Sequence, residues 1–368
     1  MQIKVSNQST LVNGREALLR EIRKEMTMLN PEYQQALKYG RYVYHLDQYL
    51  TFYDEPAPGT ISFPRGWTRQ AINLLKRHGF EPKIQDNRRL LDPVRLEFRG
   101  KLRAYQEEAV NEVLNREFGV LQASTGSGKT VMALAVIARR GQPTLILVHN
   151  KELLHQWADR IESFLETKPG LIGDGKFEIR DITVAIVNSA KKHLETLPQH
   201  FGHIVVDECH RTPSSMFFEV ATAFESKYML GLSATAYRRD GLTKLIYLTL
   251  GDRVHEVDPD ILKANGAVMV PEIIQRQTSF SYPYDDDYQA MFSALTKDIP
   301  RNRQIVTDVV KQAGKGRGTC LMVSDRVQHC EDLANLIWEH DLDVEVLTGK
   351  TSKAERERIV QDVQAGNV

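Results

Sequence analysis

The sequence predicts an α/β protein built on a parallel sheet. Between residues 94 and 264, short and continuously apolar segments alternate with helical patterns. Strands that are apolar along their whole length are typical of a parallel sheet covered by helices on both faces. The predicted strands are residues 120–122, 145–148, 184–187, 204–206 and 229–232. Two further observations support this fold class, because a phosphate-binding motif follows the first strand and a pair of carboxylates follows the fourth.

The phosphate-binding motif is the octapeptide at residues 123–130, which reads Ala-Ser-Thr-Gly-Ser-Gly-Lys-Thr. An apolar run precedes it and a helical pattern follows it, which is the strand–loop–helix context that such a motif requires. Successive backbone N–H groups and the positive end of the helix then converge on an anion. We expect Lys129 to contact the phosphates of a nucleoside triphosphate and Thr130 to ligate Mg²⁺. The other predicted nucleotide contacts of the loop are Ser124, Thr125, Gly126, Ser127 and Gly128.

The carboxylate pair, Asp207 and Glu208, directly follows the strand at residues 204–206. Because parallel strands end at the same edge of a sheet, both side chains are predicted to lie near the phosphate loop. Asp207 can hold Mg²⁺ and Glu208 can deprotonate the attacking water, so Lys129, Asp207 and Glu208 are the candidate catalytic residues. Each motif has a plainer alternative. The octapeptide, in which Ala123 replaces the usual first glycine, can be a glycine-rich turn, and the carboxylates can begin a helix.

Two other segments carry weaker signals. Gln106 lies on a predicted helix about twenty residues before the loop, and its side-chain amide can both donate to and accept from an adenine edge. Arg103, in the same segment, is a further candidate contact to the nucleotide. His149 and Lys151 follow the second strand and can meet a phosphate backbone, whereas Asn150 between them can equally be a helix cap.

Several of these motifs together carry a family resemblance. The segments that resemble the first motor domain of superfamily-two helicases, in order and spacing, are residues 105–106, 123–130, 207–210 and 233–235. The run from residue 230 to residue 241 is similar to the XPB-like DNA helicases and their UvsW-type phage relatives. The match has two departures. Arg238-Arg239-Asp240 stands where the XPB group has Arg-Glu-Asp, and the sequence DECH replaces the commoner DEAD or DEAH.

The resemblance implies RecA-like domains, ATP and Mg²⁺ as cofactors, and duplex or branched DNA as the partner. It implies that His210, Ser233 and Thr235 couple the nucleotide state to the grip on nucleic acid, although small hydroxyl residues after a strand are also common in turns. The residues for which it implies contacts to nucleic acid are His149, Lys151, Ser189, Arg238, Arg239, Ser324, Arg326 and Thr348. For those at the later strand ends, a local capping role is an equal alternative.

Residues 1–93 are predicted to form a small α+β module. Its predicted elements are strands at residues 3–5 and 61–63, helices at 15–28 (with Asn13 as a cap) and 67–77, and a hairpin of strands 42–46 and 49–53. Residues 1–95 contain 15 Lys and Arg against 10 Asp and Glu. This excess, interleaved with tyrosines, suits a nucleic-acid surface, although alternating tyrosines are also common in ordinary sheet packing. Residues 63–66 are similar to the N-terminal module of UvsW-type proteins, which implies an accessory that binds duplex DNA.

Residues 265–368 are predicted to form a partial second RecA-like domain, with the domain before it spanning residues 94–264. It is predicted to start near residues 270–274, its predicted strands are residues 319–324 and 344–348, and residues 285–287 are most simply a helix cap. In the family, a later strand and helix carry an ATP-sensing motif and the catalytic arginines. We therefore expect a chain truncated within its second motor domain, which binds ATP and hydrolyses it weakly.

Composition narrows the function further. The formal net charge is 0, so any nucleic-acid surface must be a local patch. Three cysteines without metal-ligand spacing, no signal peptide and no long apolar run indicate a cytoplasmic protein without a membrane span. Together with these features, the resemblance implies an ATP-dependent DNA helicase or translocase that acts in DNA repair. The alternatives are an ATPase clamp or remodeller that does not separate strands, and an RNA helicase.

Overall fold

The chain divides at residue 270 into two units. The computed structural model describes residues 1–210, 214–235, 243–266, 272–316 and 318–366. The first unit contains an N-terminal sheet and a large central sheet, and the second contains helices. The domain boundaries expected near residues 93 and 264 stay predictions.

The N-terminal part of the first unit contains a five-stranded sheet, a separate two-stranded ribbon and the helices packed on them. Its strands are β1 (Gln2–Val5), β2 (Gln8–Val12), β3 (Thr27–Leu29), β4 (Tyr49–Thr51), β5 (Asp54–Ala57), β6 (Thr60–Pro64) and β7 (Lys83–Asp86), and its helices are α1 (Glu16–Glu25), α2 (Pro31–Lys38) and α3 (Thr68–Arg77). The sheet order is β5-β6-β2-β1-β7, and β3 pairs with β4 in a separate ribbon. Helix α1 buries Leu18, Leu19 and Ile22, whose spacing places them on one helical face.

Three predictions for this module are wrong. The first helix ends at Glu25 instead of continuing to residue 28, and its N-cap is Arg15 in place of Asn13, which adopts a left-handed φ of 59°. Strand β3 occupies the residues that follow, and it pairs with β4. The predicted hairpin therefore does not form, since β4 already has β3 as its partner and residues 42–46 form no strand.

The centre of the first unit is an eight-stranded sheet. Its strands are β8 (Phe118–Gln122), β9 (Thr144–Val148), β10 (Gly170–Gly173), β11 (Lys176–Phe177), β12 (Ile182–Ile186), β13 (His203–Val206), β14 (Tyr228–Ser233) and β15 (Arg253–Glu256). The order is β11-β10-β12-β9-β13-β14-β8-β15, and every pair except β10–β11 is parallel. The predicted α/β class is confirmed, and all five strands predicted from apolar runs are present.

Helices cover this sheet on both faces, as its continuously apolar strands require. They are α4 (Ala104–Leu114), α5 (Lys129–Arg140), α6 (Lys151–Leu165), α7 (Val187–Lys191), α8 (Ser214–Thr222), α9 (Thr243–Leu250) and α10 (Pro259–Ala264). One hydrophobic cluster joins α4, α5 and α6 to the sheet, and a second joins α7, α8 and α9 to it. Short 3₁₀ turns lie at Arg65–Trp67 and Leu197–His200.

The N-terminal sheet is joined to the central sheet through Arg65 and Gly66. The Arg65 guanidinium is buried and donates to the Ser226 carbonyl at 2.8 Å. Gly66 lies so close to the end of α9 that a Cβ on it would be 2.5 Å from Gly251 N and from Leu248 O. Leu248 itself belongs to the hydrophobic core of the N-terminal module. The two sheets therefore pack as parts of one unit.

The second unit contains four helices among its described residues. They are α11 (Tyr288–Lys297), α12 (Ile299–Ala313), α13 (Val327–Trp338) and α14 (Lys353–Ala365). Asp287 caps α11 as predicted, because its side chain accepts from Ala290 N at 2.9 Å. The predicted strands at residues 319–324 and 344–348 are wrong. A strand needs a hydrogen-bonded neighbour, and no sheet is present among the described residues of this unit.

Candidate nucleotide-binding site

The predicted phosphate loop connects β8 to α5. Gly126 and Gly128 have φ values of 84° and 86°, which side chains other than glycine rarely adopt. A Cβ on Gly128 would also lie 2.4 Å from Gln106 Nε2. The loop therefore takes its form from the two glycines, and it presents the first turn of α5 at the carboxyl edge of the sheet.

Polar side chains hold the loop from inside the protein. Tyr105 Oη and Gln106 Nε2 both donate to the Ser127 carbonyl, at 3.0 and 2.9 Å. Lys129 Nζ donates to the Ala123 carbonyl at 2.9 Å, so the lysine folds back over its own loop. Ser127 Oγ is buried and lacks a hydrogen-bond partner within the part of the chain that the structure describes.

The side-chain amide of Gln106 makes a hydrogen bond to Arg103 that its predicted role in adenine recognition does not include. Its Oε1 accepts from Arg103 N at 2.9 Å while its Nε2 supports Ser127. Both ends of the amide are thus bound within the protein, and recognition of adenine, which stays a prediction, requires one of these bonds to be exchanged. The Arg103 side chain is exposed beside it.

Asp207 lies at the carboxyl end of β13 and is buried. Its Oδ2 accepts from Trp157 Nε1 at 2.8 Å, and its Oδ1 accepts from Glu208 N at 2.9 Å. Burial raises the pKa of the Asp207 carboxyl above its ordinary value, although the Trp157 hydrogen bond opposes the rise. Sequence reasoning missed Trp157, because its place on the apolar stripe of α6 gives no sign of a polar contact.

Glu208, His210, Ser233 and Thr235 form a connected chain of side chains. Glu208 has a left-handed φ of 44°, and its Oε2 lies 3.4 Å from His210 Nδ1. His210 Nδ1 is 2.9 Å from Ser233 Oγ, which donates to the Thr235 carbonyl at 2.6 Å. Because the hydroxyl has only one proton, this network assigns the proton on Nδ1 to the histidine. The structure thus brings the three predicted coupling residues together beside Glu208.

A pocket of about 540 Å³ lies beside these side chains. Its lining residues are Thr130, Leu153, Gln156, Trp157, Asp159, Arg160, Ser163 and Asp207. Thr130, in the first turn of α5, and Asp207, at the carboxyl end of β13, therefore border the same space. Their oxygens are the ligands that Mg²⁺ prefers, and this ion usually takes one or two carboxylates together with substrate phosphates.

The residues present fit a magnesium nucleotide. Ser127 Oγ and Glu208 Oε2 are buried polar atoms without a hydrogen-bond partner among the described residues, and both lie at the loop edge of the sheet. No group of three or more His, Cys, Asp or Glu side chains in the described ranges forms a metal cluster.

The residues of the first unit that are predicted to contact nucleic acid differ from one another in burial and in hydrogen bonding. His149 is half-buried at the end of β9 with no described partner for Nδ1, Lys151 is exposed, and Ser189 is half-buried in α7. Asn150 caps α6 by accepting from Leu153 N at 2.8 Å, as its alternative interpretation predicts. Arg238 and Arg239 lie outside the described residues.

In the second unit, the predicted contact residues make local hydrogen bonds. Ser324 Oγ is 2.9 Å from His329 Nδ1, and it accepts from Arg326 N at 3.2 Å. Thr348 Oγ1 accepts from Lys350 N at 3.2 Å. These bonds support the capping alternative, and a contact to nucleic acid stays a prediction for all three.

Comparisons with known proteins agree with what the fold and the candidate site indicate, which is an α/β protein with a phosphate-binding loop. Residues 99–238 match the family model described as "Type III restriction enzyme, res subunit". The predicted resemblance to superfamily-two helicases of the XPB and UvsW type is confirmed.

No described helix is long and apolar enough to cross a membrane.

Particular relatives carry this resemblance. The chain is 38% identical over 155 residues to the DNA 3'-5' translocase XPB2 of Sulfurisphaera tokodaii, covering 42% of this chain and 35% of that protein. It is 25% identical over 301 residues to the probable helicase D10 of Escherichia phage T5, covering 80% and 64%. The crystal structure of T4 UvsW superposes with a TM-score of 0.52 at 18% identity, covering 100% of this chain and 78% of that one, which shows a shared fold. The chain spans about one third to two thirds of these curated relatives.

Proposed function

We propose that this chain binds and hydrolyses ATP with Mg²⁺ and uses hydrolysis to move along DNA or to separate its strands. The observation that carries the proposal is the pocket that Thr130 and Asp207 share. Thr130 lies in the first turn of α5, after the phosphate loop that follows β8, and Asp207 follows β13, a different parallel strand. Such convergence is the arrangement that phosphoryl-transfer sites use.

Each residue of the site has a distinct role in this proposal. Lys129 leaves the Ala123 carbonyl and contacts the phosphates, and Thr130 and Asp207 hold the metal ion. The ion supplies neutralising charge for the phosphate oxygens. Glu208 orients the attacking water and accepts its proton, and Trp157 keeps the Asp207 carboxylate oriented.

A continuous set of contacts connects Glu208 to the residues that are predicted to couple hydrolysis to nucleic-acid binding. Glu208 is adjacent to His210, and the hydrogen bonds from His210 to Ser233 and from Ser233 to Thr235 lead away from it along the sheet edge. A change in the hydrogen bonding of Glu208 can therefore shift the backbone at Thr235. This chain of contacts supports the predicted coupling role of the three residues.

DNA is the proposed substrate because the relatives are named as a DNA translocase and a helicase. Duplex or branched DNA, a role in DNA repair and a cytoplasmic location are part of the same proposal. Remodelling without strand separation and action on RNA are the competing outcomes.

The test compares ATP hydrolysis with no nucleic acid, duplex DNA, single-stranded DNA and RNA, followed by strand-displacement and triplex-displacement assays on the most effective substrate. Stimulation by DNA together with strand or triplex displacement supports a helicase or translocase. Stimulation by DNA without either displacement supports the remodeller, and preferential stimulation by RNA overturns the choice of DNA.

A further inference from the structure

A group of tyrosines on the N-terminal module faces solvent. Tyr39, Tyr42, Tyr44 and Tyr49 are 61%, 77%, 90% and 51% exposed. Aromatic rings usually contribute to stability by being buried, so this many exposed rings within a short segment points to a binding surface. We call residues 39–49 the tyrosine loop. The exposure argues against the sheet-packing interpretation of these tyrosines.

The rings are arranged in pairs with each other and with cations. Tyr42 and Tyr44 are stacked, with ring centroids 6.1 Å apart and planes 27° apart. The Lys38 ammonium lies 5.9 Å from the centroid of the Tyr39 ring, and the Arg41 guanidinium lies 5.8 Å from it. Aromatic faces and positive charges therefore alternate along one surface.

Residues 33–49, which include the tyrosine loop, carry a small excess of positive charge although the whole chain is neutral. They contain Lys38, Arg41 and His45 against one carboxylate, Asp47. A local excess of positive charge is the pattern of a surface that attracts phosphates.

Backbone contacts hold the tyrosine loop in place. Asn30 N donates to the Gln48 carbonyl at 2.9 Å, and Asn30 Nδ2 donates to the Asp47 carbonyl at 2.8 Å. At the other end, Arg41 N donates to the Ala36 carbonyl at 2.8 Å. The exposed position of the rings is thus a property of an anchored loop.

We propose that the tyrosine loop binds single-stranded nucleic acid. Unpaired bases stack on Tyr42 and Tyr44, and the backbone phosphates lie beside Lys38 and Arg41. Stacking on exposed aromatic rings is open to unpaired bases, whose faces are free, and it tolerates any sequence because every base has a π-face. Tyrosines also occur in protein interfaces, but the positive charges of Lys38 and Arg41 beside the rings favour a polyanion.

This inference extends the proposed function, because it gives an enzyme that opens DNA a place to hold one released strand. The binding step itself needs no ATP, so it is tested separately. Lys129→Ala is expected to bind single strands as the wild type does, whatever its effect on hydrolysis. A failure of the ATPase assignment would therefore leave this proposal standing, and the reverse is also true.

The experiment measures binding of the full chain to fluorescent oligothymidylate without nucleotide. The double variant Tyr42→Ser/Tyr44→Ser is expected to bind at least about tenfold more weakly, because two stacking rings are removed. Tyr44→Phe keeps the ring and is expected to bind as the wild type does. Tyr284→Ser, which removes a tyrosine that is 56% exposed in the other unit, is the matched control.

Salt dependence separates stacking from charge. Lys38→Gln/Arg41→Gln is expected to lower the slope of log affinity against log salt by about 0.7 for each phosphate that the variant no longer neutralises, while the tyrosine variants leave the slope unchanged. Wild-type affinity in the double tyrosine variant would overturn the proposal and point to a protein partner. Binding weakened equally in Tyr44→Phe and in Tyr42→Ser/Tyr44→Ser would also overturn it, since the ring would then not be the group that binds.

Discussion

At the amino edge of the central sheet carboxylates and cations form ion pairs with one another, whereas at the carboxyl edge the buried Asp207 carboxyl accepts from Trp157 Nε1 and Glu208 N. Glu117 and Lys227 precede β8 and β14, and their charged groups are 2.7 Å apart. Asp86 and Arg88 join them, with Arg88 2.8 Å from Asp86 and 2.6 Å from Glu117. Hydrogen bonds from Arg88 and Lys227 hold the pKa of Asp86 well below its usual range.

At the carboxyl edge the carboxyl pKa shifts in the opposite direction. Ser127 Oγ, His149 Nδ1 and Glu208 Oε2 are buried there without a described hydrogen-bond partner, and burial raises the pKa of Asp207. Guanidinium nitrogens of Arg65, Arg88 and Arg140 are also buried at the amino edge without a described hydrogen-bond partner, so the clearer difference between the edges is the direction of the carboxyl pKa shift. A carboxyl pKa raised by burial is typical of a functional site. We therefore expect substitutions at the amino edge, which joins the N-terminal module to the sheet, to change stability, and substitutions at the carboxyl edge to change nucleotide binding.

Of the substitutions that test this comparison, Gly66→Ala at the amino edge is expected to have the largest effect, and the quantity it changes is stability. The new Cβ would meet backbone atoms of Gly251 and Leu248 at 2.5 Å, and backbone cannot rotate away as a side chain can. We expect the free energy of unfolding to fall by about 2–3 kcal/mol, measured by urea denaturation, with nucleotide affinity of the folded protein unchanged. Gly349→Ala is the control, since it would meet nothing within 4 Å. Wild-type stability in Gly66→Ala would show that the joint is not tightly packed.

Trp157→Phe, at the carboxyl edge, is expected to have a smaller effect, and the quantity it changes is the Mg²⁺ requirement of nucleotide binding. The substitution keeps most of the buried ring but removes the N–H that donates to Asp207 Oδ2. Groups that orient a metal ligand typically affect metal affinity by about 10- to 100-fold, so about tenfold more Mg²⁺ should be needed for tight nucleotide binding. A titration of a fluorescent ATP analogue at several Mg²⁺ concentrations measures this. Trp338→Phe, at a side chain that is 53% exposed, is the control, and an unchanged Mg²⁺ requirement in Trp157→Phe would remove Trp157 from the site.

The smallest expected effect is the pH dependence of the amino-edge network. Because the folded pKa of Asp86 is lowered from 3.8, its contribution to stability is present above the unfolded pKa and is lost as pH falls through the folded pKa. Asp86→Asn should therefore cost about 1 kcal/mol or less at neutral pH, since the pair is partly exposed, and the difference from wild type should shrink in acid. Urea denaturation at neutral and acidic pH tests this, and a difference that grows in acid would contradict the assigned sign.

The parts of the fold that the sequence predicted correctly depend on local patterns. The strands of the central sheet are buried on both faces, so their apolar runs are distinctive, and the phosphate loop is a contiguous motif. The tyrosine-rich residues 42–46 alternate like a strand, but no opposing strand is available to them. The apolar residues 319–324 and 344–348 likewise lack a described sheet to join.

The candidate site was predictable to the same extent. Lys129, Asp207 and Glu208 were identified because each follows a predicted strand in a recognisable motif. The Trp157–Asp207 bond joins residues 50 positions apart and the Gln106–Ser127 bond joins residues 21 apart, so neither leaves a local pattern. Contacts of this kind depend on how the elements pack, which a single sequence does not display.

The most direct test of the central claim is equilibrium binding of a fluorescent ATP analogue, with Mg²⁺, to three proteins. These are the wild type, Lys129→Ala and Glu208→Gln, each checked for its fold by circular dichroism. Lys129→Ala removes the charge that contacts phosphate and should bind at least about tenfold more weakly, as expected when a charge-assisted hydrogen bond is removed. Glu208→Gln keeps the shape of the side chain and should bind as the wild type does. Wild-type affinity in a correctly folded Lys129→Ala protein would contradict the assignment of the carboxyl edge as a nucleotide site.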